Sequence, residues 1–161
     1  LDSHYNSASS LVMFRARTSG TPVTALYYTG NGALFAPNAH NNTEKGDICS
    51  GTYTMTFSNA ANLDSTPSDI TAFYTRVGKV VTVSGVVSLN PTSDSAASIE
   101  CSLPISTTFS GVGDCCGAAP AGSNWGYVEA VASSARAKIA FISRNSGAID
   151  TFRFTFQYLV I

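Results

Sequence analysis

Ten acids, two histidines and four cysteines are the groups from which this 161-residue chain could build an acid–base, nucleophilic or metal site. The acids are Asp2, Glu44, Asp47, Asp64, Asp69, Asp94, Glu100, Asp114, Glu129 and Asp150. Most fall in turn-like sequence, where Asp bonds its own neighbouring backbone. A glycosidase needs two carboxylates ~5–10 Å apart in a cleft, and no spacing here selects such a pair. A Ser-His-acid triad would have to use His4 or His40, and neither accompanies a Gly-x-Ser-x-Gly elbow. Cys49, Cys101, Cys115 and Cys116 are too scattered from the histidines for structural zinc. Gly111–Gly117 is glycine-rich but lacks the Gly-Lys-Ser/Thr ending of a phosphate loop. Nothing here selects a catalytic constellation, an embedded hydrolase remains the weakest option, and neither a metal nor a cofactor is expected.

Binding chemistry is better represented. The stretch from Thr107 to Tyr127 is rich in Gly, Ala, Ser and Asn, and ends in Ser123-Asn124-Trp125-Gly126-Tyr127 with the only Trp of the chain. Extended loops on a rigid β scaffold are where binding residues collect. An aromatic face holds the C–H surface of a sugar and planar polar groups hold its hydroxyls, so Asn124, Trp125 and Tyr127, with Asp114 from the same stretch, are the candidate receptor contacts. The competing reading makes Trp125 a core or subunit-interface anchor at the head of a strand. Tyr5 and the Tyr27-Tyr28 pair carry the same ambiguity. Arg76, Arg136 and Lys138 sit inside strand patterns, where a cation points outward or faces a neighbouring chain. Arg suits bidentate contacts of that kind, and Arg76 is the candidate subunit-interface residue.

Strands must position these groups, because almost nothing in the chain reads as helix. Turn-forming clusters interrupt it about every ten residues, with β-branched and aromatic residues between them. Strands are expected at 11–17, 23–29 and 33–36, the last two joined by Gly30-Asn31-Gly32, which accepts positive φ. A polar stretch from Pro37 to Asp47 then marks a boundary near residue 48, dividing a β-structured neck (1–48) from a head (49–161). In the head, strands are expected at 51–57, 70–77, 79–89, 97–103, 126–132, 136–143 and 149–161. The last is the clearest: Phe152, Phe154, Phe156, Tyr158 and Val160 alternate with Thr151, Arg153, Thr155 and Gln157, one aromatic face and one polar. Many antiparallel strands with short turns imply an all-β fold, a jelly-roll or Greek-key β-sandwich.

Only 12% of residues are charged, about half the usual share. The low charge suits a protein in a particle or outside the cell that buries area against its own copies. A net charge of −1 and a pI near 6.1 leave no footprint for nucleic acid. No run approaches the ~20 apolar residues of a membrane span. The cysteines read as reduced, partly buried thiols, since a chain of this size needs no disulfide staples and vicinal Cys115-Cys116 suits one poorly. Asn41-Asn42-Thr43 matches a glycosylation sequon, a pattern too short to carry weight. The chain opens on Leu1 without a charged-then-apolar leader, and a piece of something longer is the expectation.

The order of certain segments resembles the C-terminal receptor-binding domains of bacteriophage tail fibres and tailspikes. Across about 49–161 the carriers are Gly51-x-Tyr53-Thr54, Asn59 to Asn62-Leu63, Tyr74-Thr75-Arg76-Val77-Gly78, Ser102-Leu103-Pro104-Ile105 and the Arg136-Ala137 strand. These are strand and turn motifs, not a catalytic signature, and Cys115-Cys116 departs from the pattern. The resemblance implies a homotrimeric, non-enzymatic virion adhesin. It would be assembled in the host bacterial cytoplasm, joined to an upstream fibre shaft through the neck, and attached to a bacterial surface glycan or protein. Two alternatives stand beside it. One is a carbohydrate-binding or trimerisation module at the end of a tailspike depolymerase. The other is a secreted trimeric domain similar to C1q and tumour necrosis factor.

Overall fold

The computed structural model describes residues 48–160 apart from 123, 145 and 146, and three earlier strands at 11–16, 23–29 and 34–35. Tyr5, His4, His40, the sequon at Asn41 and the turns at 18–22 and 30–32 lie outside the described residues. The chain divides into two compact units, Leu1–Ser50 and Gly51–Ile161.

In the first unit, β1 (Leu11–Ala16), β2 (Val23–Thr29) and β3 (Leu34–Phe35) form an antiparallel sheet in that order. The β1–β2 register shifts between Phe14 and Arg15. Such a shift accommodates an extra residue and bends the strand.

The larger sheet contains β4 (Ile48–Met55), β5 (Phe57–Ala61), β6 (Ile70–Val77), β7 (Val80–Leu89) and β8 (Ala96–Ser102). It continues with β9 (Cys115–Ala121), β10 (Asn124–Ala130), β11 (Arg136–Ile142) and β12 (Asp150–Leu159). All nine are hydrogen-bonded in the order β4-β6-β7-β12-β9-β10-β11-β8-β5, one unbroken sheet curled into a half-barrel. The all-β expectation holds, and the described residues contain no α-helix.

The curl follows from burial. Each strand turns one set of alternate residues inward, and a single sheet can hide that face only by wrapping around it. Its two edges, β4 and β5, are successive halves of one chain segment with Thr56 alone between them. Ser102 at the end of β8 clasps this bend. Its N–H donates to Thr56 O at 3.0 Å, its Oγ accepts the Thr56 N–H at 2.9 Å, and its carbonyl accepts the Tyr53 hydroxyl at 3.0 Å.

Along the middle of the sheet runs β12, with Phe152, Phe154, Phe156 and Tyr158 all buried. Burying each such ring stabilises the fold by roughly 1.5–3 kcal/mol. Phe141 meets Phe152 at a centroid distance of 4.3 Å, and Phe109 meets Tyr158 edge-on at 5.8 Å. Glycines on the flanking strands allow close approach to β12. Gly85 of β7 is paired with Phe154, and a Cβ there would lie 2.5 Å from the Phe154 ring. Gly117 of β9 is paired with Phe156, where a Cβ would collide with Phe156 and the Thr155 carbonyl.

That second glycine explains the main departure from the sequence reading. The composition of 107–125 points to a loop leading into the strand expected at 126–132. Instead, the irregular connection between β8 and β9 ends with a 3-10 turn at Val112–Asp114, and Cys115–Ala121 is a strand between β12 and β10. Its Gly, Ala and Pro content is poor for a strand, but the close approach of the β12 backbone at Thr155–Phe156 requires a residue without a side chain at 117. Pro120 lies opposite Trp125, beyond the residues that pair with β12.

The outward face of β6, β7 and β12 is nearly uncharged. Val77 pairs with Val80 and Val80 with Leu159, an exposed apolar row across three strands that Phe73 and Val86 extend. Arg153 is the one charged residue among the exposed positions of these three strands.

Candidate functional site

On the outward face of β10, β11 and β8 lies a groove of about 670 Å³. Strand alternation builds it. In β10 Asn124, Val128 and Ala130 are buried, so Trp125, Tyr127 and Glu129 point away from the core. In β11 Ala137, Ile139 and Phe141 are buried, which turns Lys138, Ala140 and Ile142 to the same outer surface.

Register aligns these positions in rows. Tyr127 faces Ala140, Ala140 faces Ser98 and Ser98 faces Ala61. The row begins with a phenol and continues over small residues, which leaves a trough beside an aromatic wall. Trp125, two residues along the same strand face, lengthens that wall and is 77% exposed; Tyr127 is 52% exposed. Ala96 and Ile142 line the groove further along, with Arg144 just past the end of β11.

The adjacent row is charged: Glu129 faces Lys138 and Lys138 faces Glu100. Lys138 Nζ lies 2.6 Å from Glu129 Oε1, and this hydrogen bond raises the ammonium pKa. On β5 the Asn59 amide donates to Glu100 at 2.8 Å. Arg144 forms no ion pair with an acid among the described residues. The groove lining contains two cations, Lys138 and Arg144, and no carboxylate.

The expected contact residues separate. Trp125 and Tyr127 come together on the groove wall. Asn124 points the other way and is buried, its amide donating to the Asp150 carboxylate. Its carbonyl accepts the Arg144 N–H at 3.1 Å, so it holds in place the backbone that carries a groove cation.

Asp114 lies outside the groove lining, in the 3-10 turn. Its carboxylate accepts the N–H groups of Ser110 at 2.7 Å and Gly111 at 3.0 Å. These bonds, that to Gly111 first, lower its pKa, and they give it the work of closing a turn. Arg76 follows Ala72 and Tyr74 on the inward side of β6, and its Nε donates to Gly78 O at 2.7 Å. Its charge lowers the Tyr158 pKa, against the larger effect of burial, which raises it.

Lys138 was already visible as a strand-borne cation. Ser98, Ala140, Ile142 and Arg144 were missed, because only the pairing of β8, β10 and β11 brings them beside Trp125. Among the described residues no three His, Cys, Asp or Glu side chains cluster as a metal site would need. All four cysteines are free; strand alternation buries Cys115 and exposes Cys116. The groove can therefore stack a flat ring on its wall and exchange hydrogen bonds along its charged row. Comparison with known protein families, curated proteins and solved structures finds no match to this chain.

Proposed function

We propose that this protein is a non-enzymatic adhesin, the receptor-binding tip of a bacteriophage tail fibre that attaches the virion to a bacterial surface glycan. The observation that carries this reading is the exposed Trp125–Tyr127 wall over a trough of small residues on a paired sheet. Contiguous exposed apolar surface marks interaction sites, and this adjacent pair has the flat faces that sugar rings stack against.

Three copies form the head in this reading, each half-barrel flattened as a two-layered sandwich. The nearly uncharged outward face of β6, β7 and β12 supplies the subunit contacts and leaves the groove to the receptor. Three linked sites add their binding through effective concentration, so each can be weak alone. Four free thiols favour assembly in a reducing cytoplasm over the secreted C1q-like alternative.

Light scattering tests the assembly: three copies of 16.8 kDa give a mass of about 50 kDa. Pull-down on host bacteria tests the role. The intact chain should bind cells, Trp125→Ala and Tyr127→Ala should each abolish binding, and Phe73→Ser should act only through the mass. Cell binding unchanged in both aromatic variants would remove the groove from the mechanism.

A further inference from the structure

We infer that the groove takes an extended acidic oligosaccharide laid along β11, with a carboxylate held by Arg144; this rests on the glycan-binding reading above. The groove is longer than one sugar ring. Lys138 to Ile142 spans four residues, about 13 Å at ~3.3 Å per residue, and Arg144 extends the line further.

The two ends of the groove differ in charge. At one end Lys138 is already neutralised by Glu129 at 2.6 Å, with Glu100 opposite it on β8. That row offers paired donors and acceptors, which suit hydroxyl groups. At the other end the exposed guanidinium of Arg144 has no acidic partner among the described residues. A planar fork of donors matches a carboxylate. The clasp of Asn124 on the Arg144 backbone fixes where that fork begins.

Sheet order excludes strand addition as the mode of recognition. A peptide ligand commonly adds a strand to an open edge, but β8, β10 and β11 each have strands hydrogen-bonded on both sides. Recognition must then come from side chains alone, against a ligand with flat faces, many hydroxyls and a negative charge.

Trp125 is the only Trp in the chain, so its fluorescence reads the groove directly. The intact protein is titrated with uronate- and sialate-containing oligosaccharides, each beside its carboxyl-reduced counterpart. Acidic members should shift the emission and bind at least about tenfold more tightly than the reduced ones, a gap that narrows with salt. Arg144→Gln should bring acidic binding down to the neutral level and melt at the wild-type temperature. Equal binding of acidic and reduced members, or no effect of Arg144→Gln, overturns the inference and leaves the glycan reading standing. No response from any member overturns both.

Discussion

Parity along one strand decides what each side chain near the groove does. Asn124 and Trp125 are neighbours in sequence, yet one is buried and the other is 77% exposed. Asn124→Ala strips partners from the Asp150 carboxylate and the Arg144 N–H. It should cost about 1–3 kcal/mol, measurable as a lower urea midpoint. Trp125→Ala should change stability by no more than about 0.5 kcal/mol while removing the proposed glycan binding. The sequence marks this cluster as a whole, because Asn, Trp and Tyr together form a recognisable binding set. It does not show which member faces the groove until the start of β10 is known to the residue. A second check lies in the thiols. Cys116 alone is exposed, so a thiol reagent should modify one cysteine quickly in the native protein and all four after unfolding.

At the level of elements, β12 and β9 show what is and is not legible. Alternating aromatic and polar residues announce β12 unaided. β9 has no such pattern, because its strand state is set by pairing with β12, whose backbone at Thr155–Phe156 comes too close to Gly117 for a Cβ to fit. Phe156→Ala should destabilise by about 3–5 kcal/mol. Gly117→Ala, a gain of one methyl, should also destabilise, by at least about 1–3 kcal/mol through overpacking. Equilibrium unfolding of both variants checks the pair, and a neutral Gly117→Ala would contradict the packing of β9 on β12. The turn after β5 is similarly hidden. Asn62, at φ 54°, donates to Ser93 O at 3.0 Å and accepts from Thr92 Oγ1 at 2.7 Å. An Asn is easily read as a turn residue, but its partners some thirty positions away are not.

The whole molecule should be sensitive to alkali. Burial, followed by mutual repulsion with Cys115, pushes the Cys101 thiol from 9.0 up to about 12. Burial, followed by repulsion from Cys116, does the same to Cys115. Burial also raises the hydroxyls of Tyr53 and Tyr158 above their ordinary range. The unfolded chain releases these protons first, so the native state binds more of them between about pH 9 and 12. The stability they contribute is complete below about pH 9 and is lost as pH rises toward 12. Urea midpoints should fall steadily across that window, and Cys101→Ala should make the fall shallower.

The bend at Thr56 also governs how neighbouring molecules can meet. Strand edges are where unpaired backbone invites another chain to join the ladder. Here the edges are two pieces of one bent segment, the eight-residue β4 and the five-residue β5, and β5 is interrupted by a register shift between Ser58 and Ala61. A flat run suitable for templating is missing from β5. Crowding many such heads together should therefore give little edge-to-edge joining through β5.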